Sequence, residues 1–209
     1  MTARARGRPR LGASAANRDR ILDAARELFA ESGFERTTMR AIAGRVGVDT
    51  ALIHHYFGTK DALVVEALRP DIDPATIFAG LADHGPHPGT EFARRALHVW
   101  EDDGPRRDRA VALLRIAMTH NEIAERMRAF YLGLAQTALG DLVGGDDRDL
   151  RLALVAGQML GLAMMRHVLV QPDMAAADLD DLARRVGPVI DHYLSGSIDP
   201  GELGEPQRR

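Results

Sequence analysis

Apolar residues recur at every third or fourth position along most of this chain, the spacing that lays them on one face of an α-helix. Ile21, Leu22, Ala25, Leu28 and Phe29 follow that rule and predict a helix from about Arg18 to Glu31, closed by Ser32-Gly33. Thr37 or Thr38 can cap a second helix and Thr59 a later one, because a hydroxyl satisfies free N–H groups of a first turn. The helix begun at Lys60 ends near Leu68, before Arg69-Pro70. Residues 70–90 are broken by Pro and Gly and leave room for one short helix around Pro74–Ala82. Further helices are predicted at 91–101, 106–119, 121–139, 149–170 and 175–195, with Pro105, Gly140, Gly144-Gly145 and Pro172 at the breaks. No strand-like alternation of useful length interrupts them, so the predicted fold class is all-α.

Residues 37–60, TTMRAIAGRVGVDTALIHHYFGTK, have the spacing of a helix-turn-helix. Ala43 is small where two helices must approach, and Gly47 falls four residues later, where the chain must turn. Ile42, Val46, Val48, Ile53 and Phe57 supply the apolar positions that lock the pair together. The second helix then presents Asp49, Thr50, Ala51, His54 and His55, small or polar groups suited to a DNA groove. The same spacing, taken alone, also fits an ordinary helical hairpin.

Charge favours the DNA reading. The 209-residue chain has a formal charge of −3, but residues 1–60 hold 11 basic against 6 acidic residues, a net of +5. The remainder holds 16 against 24, a net of −8, so a nucleic-acid end is joined to a part kept off the polyanion. Arg4, Arg6, Arg8 and Arg10 alternate with small residues in an aperiodic arm, residues 1–16, expected to be flexible. Gly7-Arg8-Pro9-Arg10 resembles an AT-hook whose guanidinium groups enter a minor groove; the alternative is a solvated tail. Lys60, the only lysine, follows the second helix directly and can reach a phosphate. With no cysteine and no apolar run of about 20 residues, a cytoplasmic protein without cofactor, metal site or membrane partner is expected.

In the remainder, Ala153, Gly157 and Gly161 recur every four residues and make a smooth strip along one helix. With Met164, and with Val186, Val189, Ile190 and Tyr193 on the last helix, they are the expected dimer interface, burial within one protomer being the alternative. Pro188 is expected to kink that helix. Phe92, Trp100, Met118, His120, Met127, Phe130, Tyr131 and Met164 mix aromatic, thioether and polar groups and are the expected lining of a ligand site.

A basic arm, one amphipathic helix and then TTMRAIAGRVGVDTALIHHYFGTKDAL resembles the N-terminal domain of the tetracycline-repressor (TetR) family, over roughly residues 16–66. The resemblance implies an N-terminal three-helix DNA-binding domain at 17–62 and a larger helical domain at 63–196 for effector binding and dimerisation, before a flexible tail at 197–209. It implies a homodimeric, ligand-responsive regulator, most simply a repressor, released from a pseudo-palindromic double-stranded operator by a small-molecule effector. Thr38, His54 and Lys60 would hold phosphates. Arg40 and Asp49, together with Thr50, Ala51 and His55 of a groove-inserted helix at about Thr50–Tyr56, would make base-edge or groove contacts, with Arg40 the best placed for guanine. The sequence departs from the family at His54, where tyrosine is common, and at Ala51, where glycine is frequent. Two other functions are an architectural DNA-binding protein, against which the acidic remainder argues, and a helical enzyme with a vestigial DNA-binding head. The enzyme lacks GxSxG, Walker and HExxH motifs.

Overall fold

A computed structural model describes residues 11–85, 87–101, 104–144 and 146–196, and in these only helices and turns occur. The chain divides into two compact units, one closing at Arg69 and the other opening at Pro70.

The first unit contains α1 (Leu11–Arg36), α2 (Met39–Val46), α3 (Thr50–Phe57) and α4 (Lys60–Leu68). Its core is made by Ile21 and Ala25 of α1, Ile42 of α2, Ile53 of α3, and Leu63, Val64 and Ala67 of α4, all fully buried. Because α4 buries those three residues and packs on α1, the unit runs past the expected 62/63 boundary. Helix α1 also starts earlier than predicted. Residues 11–16, assigned to a flexible arm, are helical. Ser14 there is tied to Tyr56, the two hydroxyl oxygens 2.9 Å apart. Arg8 and Arg10 lie outside the described residues. The predicted stop at Ser32-Gly33 appears as a break in α1, Gly33 standing at φ 76 and ψ 170. Just beyond it the buried Thr37 hydroxyl shares its proton between Leu28 O at 3.0 Å and Gly33 O at 2.8 Å. That pair fixes where α1 hands over to the helix-turn-helix.

The second unit contains α5 (Pro74–Ile77), α6 (Gly89–Glu101), α7 (Gly104–Ala117), α8 (Asn121–Leu139), α9 (Arg148–Ala163), α10 (Pro172–Ala176) and α11 (Leu179–Ser195). Its core joins Phe92 and Leu97 of α6, Leu139 of α8, Leu152 and Val155 of α9, and Leu182, Ile190 and Leu194 of α11. The helix predicted over 149–170 stops at Ala163 and gives way to a wider π turn at Met164–Val168, which closes with Leu169 N–H on Met164 O. The stretch 175–195 is likewise two helices, because Pro172 starts α10 rather than marking a break, and Asp178 caps α11 through Asp181 N–H at 2.9 Å. Helix α11 runs unbroken through Pro188. Buried Arg151 holds its C-terminus, donating to Tyr193 O and Gly196 O at 2.9 Å each.

The closest packing joins α6 to α11. Asp191 accepts from Gly89 N–H at 2.7 Å, so α11 caps the first turn of α6. A β-carbon on Gly187 would stand 2.6 Å from Thr90 Cα and 2.7 Å from Thr90 N, both backbone atoms of that turn. Gly187→Ala is therefore expected to destabilise the protein by about 3 kcal/mol, the upper part of the overpacking range. Urea denaturation measures it.

Candidate functional site

Three caps define the reading surface of the first unit. Thr38 Oγ1 accepts from Ala41 N–H at 3.1 Å, Asp49 Oδ1 from Ala51 N–H at 2.8 Å, and Thr59 Oγ1 from Ala62 N–H at 3.1 Å. Between α2 and α3, Gly47 adopts φ 74 and ψ 37, and both Gly47 N–H and Val48 N–H return to Ala43 O, at 2.9 and 3.0 Å. This left-handed turn sets α3 across α2.

The expected contact residues divide into groups. Thr38, Arg40, Asp49, Ala51, His54 and His55 are exposed, and Thr50 is half-buried at the start of α3. Asp49 is first of all the cap of α3. Tyr56 has an internal partner, its hydroxyl donating to Ser14 O at 3.1 Å. Lys60 has an internal partner: its ammonium sits 4.1 Å from the Phe34 ring centroid and 3.4 Å from Glu35 O. His54 Nδ1 lies 2.8 Å from Gly58 O. A carbonyl only accepts, so Nδ1 carries the proton and the neutral ring has Nε2 left as an acceptor; a phosphate contact at Nε2 requires the imidazolium.

Arginine pairing separates the remaining basic groups. Arg18 meets Glu66 at 2.6 Å, Arg20 donates to Val46 O at 2.8 Å, and Arg26 donates to Ala67 O at 2.9 Å. Arg36 donates to Ser32 O, Arg45 pairs with Glu27 and Glu31, and Arg69 pairs with Glu66. Exposed Arg40 has no partner among the described residues. Sequence reasoning missed Gly44, one turn beyond Arg40, where an added β-carbon would meet nothing within 4 Å. The shared face of positions 40 and 44 at i, i+4 spacing was the available signal.

In the second unit a cavity of about 80 Å³ is lined by α6, α8, α9 and the segment before α6. Of the residues expected at a ligand site, Phe92, Trp100 and Tyr131 line this cavity. Met118 is 66% exposed, and His120 is turned to Thr119 and Ile116 O, so neither reaches it. Met127, Phe130 and Met164 are half-buried outside the lining, whose places are taken by Ile72, Phe78, Val99, Leu134, Met159 and Leu160. The spacing 92, 96, 99, 100 on α6 was the available signal; nothing comparable marked Phe78 in its Pro-broken segment.

The expected dimer residues also divide. Gly157 and Gly161 are exposed, with nothing within 4 Å of an added β-carbon, and Val189 is 39% exposed. Ala153, Met164 and Tyr193 are half-buried. Val186 and Ile190 face the opposite way and belong to the core of their own protomer, because they sit on the side of α11 that meets α6 and α9.

An exposed helix-turn-helix carried by α1 and α4, followed by a helical unit with its own core, defines a helix-turn-helix DNA-binding regulator. Residues 21–67 match the family described as "Bacterial regulatory proteins, tetR family", and residues 87–194 match "Tetracyclin repressor-like, C-terminal domain". The chain belongs to the TetR family of bacterial transcriptional regulators, which are not enzymes. The crystal structure of a TetR-family regulator from Streptomyces coelicolor A3 aligns with a TM-score of 0.68 at 34% identity, covering 90% of this chain and 99% of that one. The HTH-type transcriptional regulator BetI of Rhizobium meliloti is 27% identical over 130 residues, 62% of this chain and 56% of the relative. An HTH-type transcriptional repressor of Mycobacterium tuberculosis is 41% identical over 59 residues, 28% of this chain and 32% of the relative. The chain thus matches just over half the length of one curated relative and about a third of the other. No helix among the described residues is long and apolar enough to cross a membrane.

An ionic cluster braces Trp100. His167 stacks on its ring, centroids 5.7 Å apart and planes at 7°, while Glu101 takes Arg166 at 2.6 Å, Arg107 at 3.2 Å and His167 at 3.6 Å. Burial holds the His167 pKa below its ordinary 6.5; Arg166 and Arg107 push the same way, against the attraction of Glu101. The folded state therefore binds a proton at His167 less readily than the unfolded chain. Stability is full above 6.5 and falls as pH drops below it, until the folded pKa is passed. His167→Gln is expected to flatten that part of the slope in a series of denaturation curves across mildly acidic pH.

Proposed function

We propose that the protein is a homodimeric repressor that reads a pseudo-palindromic operator through α2 and α3 and leaves it when a small molecule occupies the cavity of the second unit. The observation that carries the DNA part is the arginine census. Of the described arginines in the first unit, Arg40 alone has no partner among the described residues, on an open face beside Gly44. An arginine without an internal carboxylate or carbonyl keeps its planar fork for a guanine edge. Thr38, at the cap of α2, and His54 as imidazolium hold flanking phosphates. Lys60 reaches a phosphate only in competition with Phe34. Thr50, Ala51 and His55 face the groove, and Asp49 keeps α3 capped. Dimerisation is supported by the open glycines of α9, since a strip with no neighbour in its own protomer admits a second helix at close range. Two heads related by a two-fold axis match half-sites about 34–36 Å apart or a multiple of that. The small-molecule part rests on the cavity, and on a solved structure sharing this fold, the SmeT–triclosan complex.

Arg40→Ala is expected to weaken operator binding by about 1–3 kcal/mol and to relax preference at one base pair, with little change on random DNA. Gel-shift titration on DNA selected from a random pool measures both, and equal losses on the two DNAs would make Arg40 a phosphate contact instead.

Gly161→Arg is expected to yield folded monomers by sedimentation velocity, because an added β-carbon there points into open space within its own protomer. A Gly161→Arg dimer of unchanged stability would remove this face from the interface. Operator affinity unmoved across a broad effector screen would count against release by a ligand.

A further inference from the structure

The ring of His54 is held so that the DNA-reading surface and a proton are linked. His54 stands exposed in the last turn of α3, with Nδ1 2.8 Å from Gly58 O. A carbonyl only accepts, so this contact keeps the proton of the neutral ring on Nδ1. Nε2 then offers a lone pair, and it has no partner among the described residues.

The place of His54 on the helix decides which DNA group it meets. A recognition helix reads base edges from its N-terminal residues, here Thr50 and Ala51 behind the Asp49 cap. His54 comes about one turn later, beside Gly58 and the exposed Thr59 cap of α4, where the flanking phosphates pass. A phosphate oxygen and a neutral Nε2 are both acceptors and repel each other. Protonation turns Nε2 into a donor and makes its bond to a phosphate charge-assisted.

The charged groups around α3 are engaged elsewhere. On α1, Arg18 lies over the Phe57 ring and pairs with Glu66, and Arg20 donates to Val46 O. On α2, Arg45 is held by Glu27 and Glu31, while Arg40 stands exposed. On α4, Lys60 sits over Phe34, Asp61 occupies the first turn, and Glu66 is shared by Arg18 and Arg69. On α3 itself, Asp49 caps the helix and the His55 ring lies 5.7 Å from that of Tyr56. None of these carboxylates forms an ion pair with His54, so an imidazolium there is left for an outside anion.

We propose that operator binding takes up one proton per subunit at His54 Nε2, which makes the proton a co-ligand of the DNA. The proposal rests on reading α3 as the helix that enters the groove. The DNA-bound state holds this proton more tightly than the free protein does. Binding therefore strengthens on the acid side of the histidine range, about pH 5–8, and weakens on the alkaline side.

Fluorescence anisotropy of the full-length protein on operator DNA selected from a random pool measures the coupling. From about pH 8 to about pH 6, at fixed salt, affinity is expected to rise about tenfold. Salt titrations at the two ends supply a second readout. Each further neutralised phosphate steepens the slope of log K against log salt by about 0.9, so two heads add about 1.8 at the acid end. His54→Gln is expected to flatten the pH profile and to bring both slopes to the alkaline value. His54→Lys carries a fixed cation, and at the alkaline end it should bind about as tightly as the wild type does at the acid end. That gain also shows that the surface is intact.

A flat wild-type profile overturns the proposal. So does a pH dependence that survives in His54→Gln, which would move the proton to His55 or to the second unit. The opposite sign overturns it as well, making neutral Nε2 an acceptor for a base amino group. Each of these results leaves operator binding standing. Failure to select any DNA at any pH would sink the operator reading, and this proposal with it.

Discussion

The DNA-reading half depends on one backbone conformation, the left-handed turn at Gly47. Its φ of 74 is a value that a residue with a β-carbon resists, and glycine adopts it without that penalty. The turn brings Gly47 N–H and Val48 N–H onto the same carbonyl, Ala43 O, which closes α2 and redirects the chain within two residues. Asp49 is thereby placed to cap α3, and Val46 O is left pointing to Arg20 of α1. The cap, the arginine strut and the crossing of α2 and α3 all follow from that position. Buried Thr37 does the equivalent work at the other end of α2, by fastening its start to α1.

Internal pairing changes what the basic charge of this half means. A net of +5 over residues 1–60 suggests a broad electropositive surface. Yet Arg20 and Arg26 are used as C-terminal caps of α2 and α4, where cations suit the helix dipole. Arg45 is held by two glutamates, and its hydrogen bond keeps the Glu31 carboxyl below its ordinary range. Such exposed pairs add little stability, but they do lower the field available to a phosphate backbone. Among the described arginines of this half, Arg40 stands out by lacking an internal partner.

The all-α class and the helix-turn-helix were legible because both are written in short-range periodicity and in one glycine. Ile42, Val46, Ile53 and Phe57 sit where that spacing put them. Side-chain direction was less legible. Tyr56 lies on the recognition helix, but its hydroxyl is claimed by Ser14, forty-two residues earlier in the chain. Lys60 was read as a free charge because the Phe34 ring beneath it is distant in sequence. The same limit explains the cavity. An aromatic residue on a helix announces burial and not which side of the core it lines, so Phe130 and Tyr131 looked equivalent although only Tyr131 reaches the space.

Small residues in the second unit show how such ambiguity is resolved. Gly187 and the Gly157–Gly161 pair look alike in sequence, each a smooth point on a long helix. At Gly187 the backbone of Thr90 already fills the space a β-carbon would take, so the close approach is satisfied within the protomer. At Gly157 and Gly161 nothing fills it. Selection for closeness inside one chain accounts for the first case and leaves the second unexplained unless another helix arrives. Val186 and Ile190 strengthen the contrast, because they turn inward while Val189, between them, turns out. One face of α11 thus serves the core, and Val189 stands exposed on the other.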